Sequence, residues 1–413
     1  MTRPLSLLVL AAVPLVLTAT AVPAQALPPG ATDPTTAVFT LDAEVQDAGQ
    51  QVVSLTIDAR GFGISPRTLS DDTFSVRASG TNPYPSLEGP VFGTFEDVER
   101  EVVDVRMEPG QRIVIDLADG FGTPGAGTLG YAAGIERNVE LDLEYTVTQE
   151  QPLTARGDRT FTFDALEQGD VVDPEVDAFT AGAANGLAYR LFSPRQGGER
   201  PLIVWLHGGG EGGWAGSYDN DLALQANRGA LGFVTPEAQK IFKGAYVLAP
   251  QAHDFWLNDP ARGYSEQLKG LIDEVVAEHR IDTDRIYVVG ASNGGYMTAQ
   301  LVAENPDFFA ANVPIAAVRL FDESVMLTDE ELDAMSGTPT WVVHAENDPV
   351  VPFGPNGQYM AENIDGALLS AYPDVTYDGV TYDGHWSWIY VARNDPATAD
   401  GTHIWQWLAD QSL

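Results

Sequence analysis

The sequence predicts an all-β N-terminal domain followed by a larger α/β domain, whose mostly parallel sheet is flanked by helices. Its 413 residues are enough for two or three domains that each bury a core. From about Val38 to Gln149, apolar and polar residues alternate with period two. After residue 175, apolar strand-like runs alternate with helical patterns. We therefore predict a β-sandwich over residues 27–155, a connector over 156–175 and the α/β domain over 176–413.

The first 26 residues have the pattern of a secretory signal peptide. Arg3 precedes an apolar run from Leu5 to Val22, and Ala24-Gln25-Ala26 supplies the small residues of a cleavage site. An uncleaved membrane anchor is the alternative interpretation, but Pro14 interrupts the apolar run. The pattern predicts a secreted, extracellular protein from which residues 1–26 have been removed.

Composition excludes several classes of site and partner. The chain has no cysteine, which excludes disulfides, a thiol nucleophile and thiolate metal sites. With 59 acidic side chains against 22 Lys and Arg, and a net charge of -37, nucleic acid and anionic membranes are unfavourable partners. After the leader, no apolar run reaches the roughly 18 residues of a membrane helix. We expect a soluble protein that binds neither nucleic acid nor membranes.

The N-terminal region contains several short strands. In "VELDLEYTVTQ", residues 139–149, every second side chain is apolar, and "QRIVIDLA", residues 111–118, repeats the pattern. Further strands are predicted at 38–45, 51–59, 74–79 and 98–107. Gly, Pro, Asn and Asp separate them, and no convincing helix lies between them. This spacing is typical of a β-sandwich.

The second region alternates strands with helices. Apolar strand-like runs occupy residues 201–208, 244–250, 285–290, 310–317 and 339–347. The clearest helix covers residues 264–280, where Leu268, Leu271, Ile272, Val275 and Val276 share one face. Continuous apolar strands separated by helices predict a parallel sheet that is covered on both faces.

A serine sits at a cramped corner of this second region. Residues 290–294 read Gly-Ala-Ser-Asn-Gly, which matches the G-x-S-x-G pattern of a nucleophile elbow. The bare pattern is common in a glycine-rich chain, but here it lies between a β-branched strand and an apolar helix. Small neighbours are needed because the serine is held in a strained turn above the sheet. We predict that Ser292 is a nucleophile.

The base that accepts the serine proton should lie further along the chain. A serine hydroxyl needs a base, the base needs an orienting acid, and in this kind of fold the order is Ser, acid, His. Of the downstream histidines, His344 lies within a predicted strand and is assigned to packing, while His403 opens the C-terminal helix. His385, in the loop sequence "YDGHWSW", is therefore the predicted base.

The predicted acid is Asp348, which follows the apolar strand 339–347. Its other interpretation is a turn residue before Pro349, and Glu346 competes with it but lies nearer the strand.

The negative oxygen formed on attack needs fixed donors, and their backbone N–H groups are predicted at two places. One is Asn293, directly after the nucleophile. The other is the glycine-rich stretch "HGGGEGG", residues 207–213, with Gly209 and Gly210 as candidates. His207 is expected to fix this loop by hydrogen bonds.

With these residues assembled, residues 175–413 resemble the α/β-hydrolase superfamily, and in particular secreted carboxylesterases related to polyhydroxybutyrate depolymerases and "predicted peptidase" hydrolases. The matching stretches are "LIVWLHGGGEGG", "YVLAPQ", "DRIYVVGASNGGYM", "HAENDPVVPF" and "GHWSW". The first domain resembles the immunoglobulin-like N-terminal domain of some of these esterases, through "SPRTLSDDTFSVRA" and "LEYTVTQEQPLT". The resemblance implies the triad Ser292, Asp348 and His385, and ester hydrolysis with no metal or organic cofactor.

The expected substrates are small-molecule or polymeric esters, either short-to-medium-chain or aryl, including polyester fragments. Trp214, Trp256 and Trp386 are the predicted substrate contacts, with Trp256 favoured because it follows a strand at the functional edge. Two alternatives remain open, a serine peptidase of the prolyl-oligopeptidase type and a non-catalytic polymer-binding protein on the same fold. For the N-terminal domain, polymer binding, formation of an active-site wall and simple stabilisation all remain open.

Overall fold

The computed structural model describes residues 35–215, 217–218 and 221–413. The predicted signal peptide, residues 1–26, lies outside the described residues. An all-β part comes first, and an α/β part follows from Thr180.

The all-β part is built from two sheets that enclose one core, a third, smaller sheet, and the two-stranded sheet β11-β12. The larger sheet has the strand order β13-β1-β2-β7-β6, the second has β10-β3-β5 and the smaller one has β4-β8-β9. Buried side chains such as Phe39, Leu55, Val76 and Ile113 form the core shared by the two larger sheets. The strands are β1 (Thr36–Gln46), β2 (Gly49–Asp58), β3 (Phe74–Thr81), β4 (Val91–Phe92), β5 (Phe95–Arg100), β6 (Val102–Glu108), β7 (Arg112–Leu117), β8 (Leu129–Ala132), β9 (Arg137–Glu140), β10 (Asp142–Gln149), β11 (Leu153–Ala155), β12 (Arg159–Phe161) and β13 (Ala165–Val172).

Two stretches predicted as single strands are each divided between sheets. The stretch 98–107 breaks at Glu101, so that β5 pairs with β3 while β6 pairs with β7. The stretch 139–149 breaks at Leu141, so that β9 pairs with β8 while β10 pairs with β3. Leu141 stays buried at its break, so the alternation runs through it without interruption and conceals the change of sheet.

The prediction that residues 156–175 are only a connector is wrong, because they form strands. They contain β12 and β13, and β13 pairs in parallel with β1 at the edge of the larger sheet. Most side chains of β13 are exposed or half-buried, so its composition is polar and acidic, as in a loop. An edge strand needs little apolar surface, so this segment lacks the apolar alternation that predicts a strand.

A buried arginine fixes the loop that leaves β7. Arg100 is 2% exposed, and its guanidinium donates to the carbonyl oxygens of Val52 (3.1 Å), Ala118 (2.8 Å) and Gly125 (3.0 Å). These bonds compensate for the burial of the charge. They also hold both ends of residues 118–125, a loop that carries Phe121 toward the second domain.

The α/β part is organised around one mixed sheet with the order β14-β15-β17-β16-β18-β19-β22-β23. Strands from β17 to β23 in this order are parallel, and β14 and β15 add an antiparallel edge. The strands are β14 (Thr180–Ala184), β15 (Leu187–Phe192), β16 (Arg200–Leu206), β17 (Tyr246–Gln251), β18 (Ile281–Ala291), β19 (Ala311–Ile315), β20 (Leu320–Phe321), β21 (Ser324–Val325), β22 (Trp341–Ala345), β23 (Leu368–Tyr372), β24 (Thr376–Tyr377) and β25 (Val380–Thr381).

Helices cover both faces of this sheet, as expected for a parallel core. One apolar cluster joins the sheet to α5 and α6, and a second joins its other face to α2, α3 and α10. The predicted helix over residues 264–280 is confirmed as α5. In the described part of the chain, no helix is both long and apolar enough to cross a bilayer. The helices are α1 (Leu222–Gln225), α2 (Gly229–Gly232), α3 (Pro236–Ile241), α4 (Asp259–Arg262), α5 (Tyr264–Glu278), α6 (Asn293–Glu304), α7 (Asp329–Met335), α8 (Tyr359–Asn363), α9 (Trp388–Ala392) and α10 (Ile404–Ala409).

Candidate active site

Ser292 forms a sharp turn between β18 and α6. Its φ of 55° and ψ of -114° lie outside the regions that a residue with a side chain normally adopts. The turn is held by a hydrogen bond from the Ser292 backbone N–H to the Ile315 carbonyl, at 2.8 Å. The strain places the serine at the carboxyl end of the sheet, directly before the N-terminus of a helix.

The glycines around Ser292 are required by close backbone packing. A Cβ at Gly294 would overlap the carbonyl of Leu206 at the end of β16, and a Cβ at Gly290 would overlap the carbonyl of Gly294 and lie 2.6 Å from Thr298 Oγ1. Helix α6 therefore lies close against the strands, and this contact sets the height of the serine above the sheet.

The side chains of the three predicted triad residues are joined by two consecutive hydrogen bonds. His385 Nε2 is 2.9 Å from Ser292 Oγ, and His385 Nδ1 is 2.8 Å from Asp348 Oδ2. Asp348 follows β22, and His385 follows the β24–β25 hairpin, so the chain order is Ser, Asp, His. This geometry lets the imidazole accept the serine proton while the carboxylate orients the ring.

Asp348 is held as a carboxylate. Burial would raise its pKa, but hydrogen bonds from His344, His385 and the Val351 backbone lower the pKa well below the usual range for Asp. Its Oδ1 accepts the backbone N–H groups of Val350 and Val351, both at 2.8 Å. A carboxylate with these donors stays charged and can stabilise the imidazolium that forms when the serine is deprotonated.

His344 does more than pack. It is fully buried as predicted, but its Nε2 lies 3.2 Å from Asp348 Oδ2 and 2.8 Å from the Val351 carbonyl. Asp348 therefore lies between two histidines. The i, i+4 spacing of His344 and Asp348 was visible in the sequence, but its meaning depends on the turn after β22, which folds the carboxylate back over the strand.

The glycine-rich loop, residues 208–213, lies beside the serine and directly follows His207. His207 Nε2 accepts the Ala252 N–H at 3.0 Å, so the proton sits on Nδ1, which donates to the Gly208 carbonyl at 2.6 Å. Burial lowers the pKa of His207 to about 4. The neutral ring thus fixes the start of the loop, as expected from the sequence.

Glu211, within the glycine-rich loop, is a buried carboxyl group that the sequence analysis did not assign. Burial raises the pKa of Glu211 to about 7, against the opposing effects of the Glu211 and Gly208 backbone N–H groups and the charges of Arg137 and His385. Its Oε1 accepts a hydrogen bond from Asn138 Nδ2 at 3.0 Å. A lone glutamate in a run of glycines was the available signal. Its partner lies 73 residues away in another domain, which the sequence does not reveal.

The residues whose backbone N–H groups are predicted to bind the oxyanion, Asn293, Gly209 and Gly210, have different surroundings. Asn293 is 4% exposed, and its side-chain oxygen accepts the Leu257 N–H at 3.2 Å. A Cβ at Gly209 would contact Phe255 at 3.1 Å and Asn293 Nδ2 at 3.8 Å, whereas a Cβ at Gly210 would meet Asn138 at 2.9 Å. Gly209 therefore packs against residues of the catalytic domain, while Gly210 faces the N-terminal domain.

The predicted substrate contact at Trp256 is wrong. This side chain is fully buried and packs between the rings of His207 (5.0 Å) and Tyr264 (5.2 Å). The short helical turn Trp256–Asn258 places it beneath the glycine-rich loop, on the core side. Its neighbour Phe255 is the ring that lies against Gly209.

Trp214 and Trp386 lie at the junction with the N-terminal domain. Trp214 packs edge-on against Tyr84, with ring centroids 5.1 Å apart. Trp386 lies next to His385 in the chain and packs against Phe121 (6.0 Å) and Trp388 (6.3 Å). Both rings are half-buried, and substrate contact at these two positions stays a prediction.

Comparisons with known proteins agree with this chemistry. The Prolyl oligopeptidase family model matches residues 253–337. The putative esterase NocK of Nocardia uniformis subsp. tsuyamanensis is 28% identical over 44% of this chain and 52% of its own length. Poly(3-hydroxyalkanoate) depolymerase C of Paucimonas lemoignei is 45% identical over 17% of this chain and 20% of its own length. The chain thus spans about half or less of these two relatives.

One solved structure matches almost the whole chain. A thermostable esterase superposes with a TM-score of 0.73 and 25% identity, covering 91% of this chain and 99% of that one. These likenesses indicate a serine hydrolase with the α/β-hydrolase fold.

We expect Gly294→Ala to destabilise the protein by several kcal/mol, on the scale of an overpacked core, because the new methyl overlaps the Leu206 carbonyl. Thermal unfolding by circular dichroism measures the change. Gly337→Ala is the matched control, because no atom lies within 4 Å of the added Cβ and the backbone is not left-handed. Equal melting temperatures for the two variants would contradict the close approach of α6 to β16.

We expect Glu211→Gln to gain stability relative to the parent as pH rises. The folded-state pKa of Glu211 is raised from 4.5 to about 7, so its stabilising contribution is complete below pH 4.5 and is lost as pH rises through 7. The amide does not titrate, and the difference should grow by about 3 kcal/mol over this interval. Denaturant unfolding at pH 4.5, 6 and 8 measures it, with the exposed Glu330→Gln as control. A difference that does not change with pH would contradict the burial of this carboxyl group.

Proposed function

We propose that the protein is a secreted serine carboxylesterase that hydrolyses short-to-medium-chain or aryl esters, including polyester fragments. The observation that carries the proposal is the hydrogen-bonded chain from Ser292 through His385 to Asp348, with the serine on a strained elbow. The likeness to a thermostable esterase over nearly the whole of both chains supports it.

The first half-reaction forms an acyl-enzyme. Ser292 Oγ attacks the ester carbonyl while His385 Nε2 takes its proton, and the resulting imidazolium faces the Asp348 carboxylate. The imidazolium then gives the proton to the leaving alcohol as the carbon–oxygen bond breaks. Because Asp348 remains charged, the ion pair forms where the transition state needs it.

The second half-reaction releases the acid. Water replaces the alcohol, His385 takes its proton, and the new oxygen attacks the acyl carbon. The serine leaves and recovers its proton from the imidazolium. In both halves, the carbonyl oxygen becomes negative at the N-terminus of α6, where the Asn293 and Gly209 backbone N–H groups are our candidate donors.

An aromatic cluster supports an apolar or aryl substrate. We define the aromatic cluster as Phe121, Tyr382, Trp386 and Trp388. The Trp388 ring packs edge-on against His385 at 5.4 Å, and Phe121 packs against Tyr382 at 5.1 Å. Phe121 keeps 50% of its surface exposed and packs against Trp386, the residue that follows His385 in the chain, so it offers an open ring at the edge of this cluster. The depolymerase relative, named for a polyester, is consistent with polymer fragments as substrates.

A serine peptidase is the second candidate, because the Prolyl oligopeptidase family model matches residues 253–337. The same triad cleaves amides, so the geometry does not separate the two reactions. Export is part of our proposal and rests on the sequence pattern of residues 1–26.

Removal of the nucleophile tests the reaction. For residues 27–413 we expect Ser292→Ala to lower kcat for p-nitrophenyl acetate, butyrate and octanoate by at least about a thousandfold, because no other group replaces the attacking oxygen. Ser324→Ala, at an exposed serine in a short surface strand, should leave kcat unchanged. A parallel panel of peptide anilides decides between the two candidates. Cleavage of the anilides alone would establish the peptidase, and no cleavage of either panel would favour the polymer-binding alternative.

Removal of one ring tests the aromatic cluster. We expect Phe121→Ala to lower kcat/KM for phenylacetyl esters by about fivefold, the worth of one aromatic contact, and to leave acetyl esters of the same alcohol unaffected. Phe321→Ala removes a similarly exposed ring, 48% against 50%, from a short strand elsewhere in the catalytic domain and is the control. Equal losses for both acyl groups would contradict a role of Phe121 in acyl recognition.

A further inference from the structure

The N-terminal domain reaches the glycine-rich loop through strand β9. Asn138 Nδ2 donates to Glu211 Oε1 at 3.0 Å, and Arg137 Nε donates to the Gly213 carbonyl at 3.3 Å. The Arg137 guanidinium also lies over the Phe255 ring, 3.7 Å from its centroid. Two consecutive residues of one domain thus contact the loop that borders the nucleophile in the other.

Glu211 links this contact to the reacting serine. The position of a Cβ on Gly208 is 3.1 Å from Glu211 Oε2 and 3.9 Å from Ser292 Cβ, so the loop backbone at Gly208 lies next to both the carboxyl group and the serine. The Gly208 backbone N–H and the His385 charge both act to lower the pKa of this carboxyl group. Glu211 is only 7% exposed, so water cannot replace these partners freely.

The glycines of the loop leave space for the incoming side chains. A Cβ at Gly210 would lie 2.9 Å from Asn138 Nδ2, and one at Gly212 would overlap the Asp254 carbonyl and lie 3.4 Å from Arg137 Nε. A side chain at position 210 would displace the Asn138 amide, and one at position 212 would move the loop away from the Asp254 backbone. Gly210 thus leaves space for the Asn138 side chain, and Gly212 lets the loop pass close to the Asp254 backbone beside Arg137.

Arg137 is a buried cation at this junction. It is 3% exposed, and burial lowers its pKa while the charges of Asp254 and Glu211 oppose that effect. Its Nη1 donates to the carbonyl oxygens of Ile135 (3.2 Å) and Glu136 (3.1 Å), which fixes the guanidinium relative to its own strand. A buried arginine with fixed partners on both sides holds the two domains in one relative position.

We propose that Arg137 and Asn138 are positioning residues, which hold the glycine-rich loop in its reactive conformation through Glu211 and Gly213. The N-terminal domain is then a working part of the catalytic site, and the loop's backbone N–H groups depend on it for their placement. This inference rests on the serine-hydrolase chemistry proposed above, but not on the identity of the ester.

Two readouts on the full chain test the proposal. The first is kcat and KM for p-nitrophenyl butyrate. The second is the rate of Ser292 labelling by a fluorophosphonate probe, which needs the nucleophile and the oxyanion donors but no particular substrate. We expect Asn138→Ala to lower kcat and the labelling rate about tenfold and to leave KM nearly unchanged. The reason is that a displaced loop stabilises the transition state less but binds the substrate equally well.

The control is Asn363→Ala, which deletes an exposed amide hydrogen bond within α8. The final extent of labelling counts folded sites, so a variant that merely unfolds loses sites at an unchanged rate per site. A lower rate per site therefore separates positioning from loss of stability.

A further experiment exchanges the amide of residue 138 and the carboxyl group of residue 211. Asn138→Asp alone places two carboxyl groups in contact and should slow labelling at least as much as Asn138→Ala. When Glu211→Gln is added, the amide nitrogen at position 211 can donate to the new carboxylate at position 138, so the exchange restores one hydrogen bond between the two side chains. The pair of changes should then restore the labelling rate to within about threefold of the parent, as coupled partners do.

The outcomes are distinct. A parental labelling rate for Asn138→Ala, or an exchanged pair as slow as Asn138→Asp alone, would overturn the proposal. If the parent is labelled but cleaves no ester, the esterase function fails while the labelling rates still decide the role of Asn138.

Discussion

The close packing of α6 against the end of β16 is the contact on which the site depends. Gly294 lies so near the Leu206 carbonyl that a side chain has no space there, and Gly290 packs against the same turn. At this contact Ser292 has a strained backbone conformation, with φ of 55° and ψ of -114°, at the edge of the sheet. Because parallel strands end at a common edge, β22 delivers Asp348 to the same place, and the segment after the β24–β25 hairpin adds His385.

Two buried carboxyl groups near His385 are tuned in opposite directions. Asp348 accepts hydrogen bonds from two histidines and two backbone N–H groups, which lower its pKa despite burial. Glu211 has fewer compensating donors, so burial dominates and raises its pKa to about 7. The number of donors separates a fixed counter-charge from a group that titrates near neutrality. Asp348, which stays charged, can orient the base. Glu211, which titrates near neutrality, can serve as a structural link to Asn138.

Three arginines make polar contacts at the junction between the two domains. Arg137 reaches the glycine-rich loop, Arg228 pairs with Glu175 at 2.7 Å and donates to the Val45 carbonyl at 2.6 Å, and Arg393 pairs with Asp47 at 2.8 Å. In a chain with a net charge of -37, partly buried arginines at the junction reduce the repulsion between two acidic domains. The polar contacts therefore specify how the domains dock, and with them the position of β9.

The sequence by itself determined the two domain classes, the serine elbow and the triad order, because these depend on local periodicity and on spacing along the chain. It did not reveal that the stretches 98–107 and 139–149 change sheets, since the period-two pattern continues through the breaks. It also misplaced Trp256, because a residue just after a strand can face either the core or the cleft. Only the tertiary structure brought Asn138 to Glu211 and His344 to Asp348. Such contacts are set by domain docking and by the fold of one turn, and neither leaves a periodic trace in the sequence.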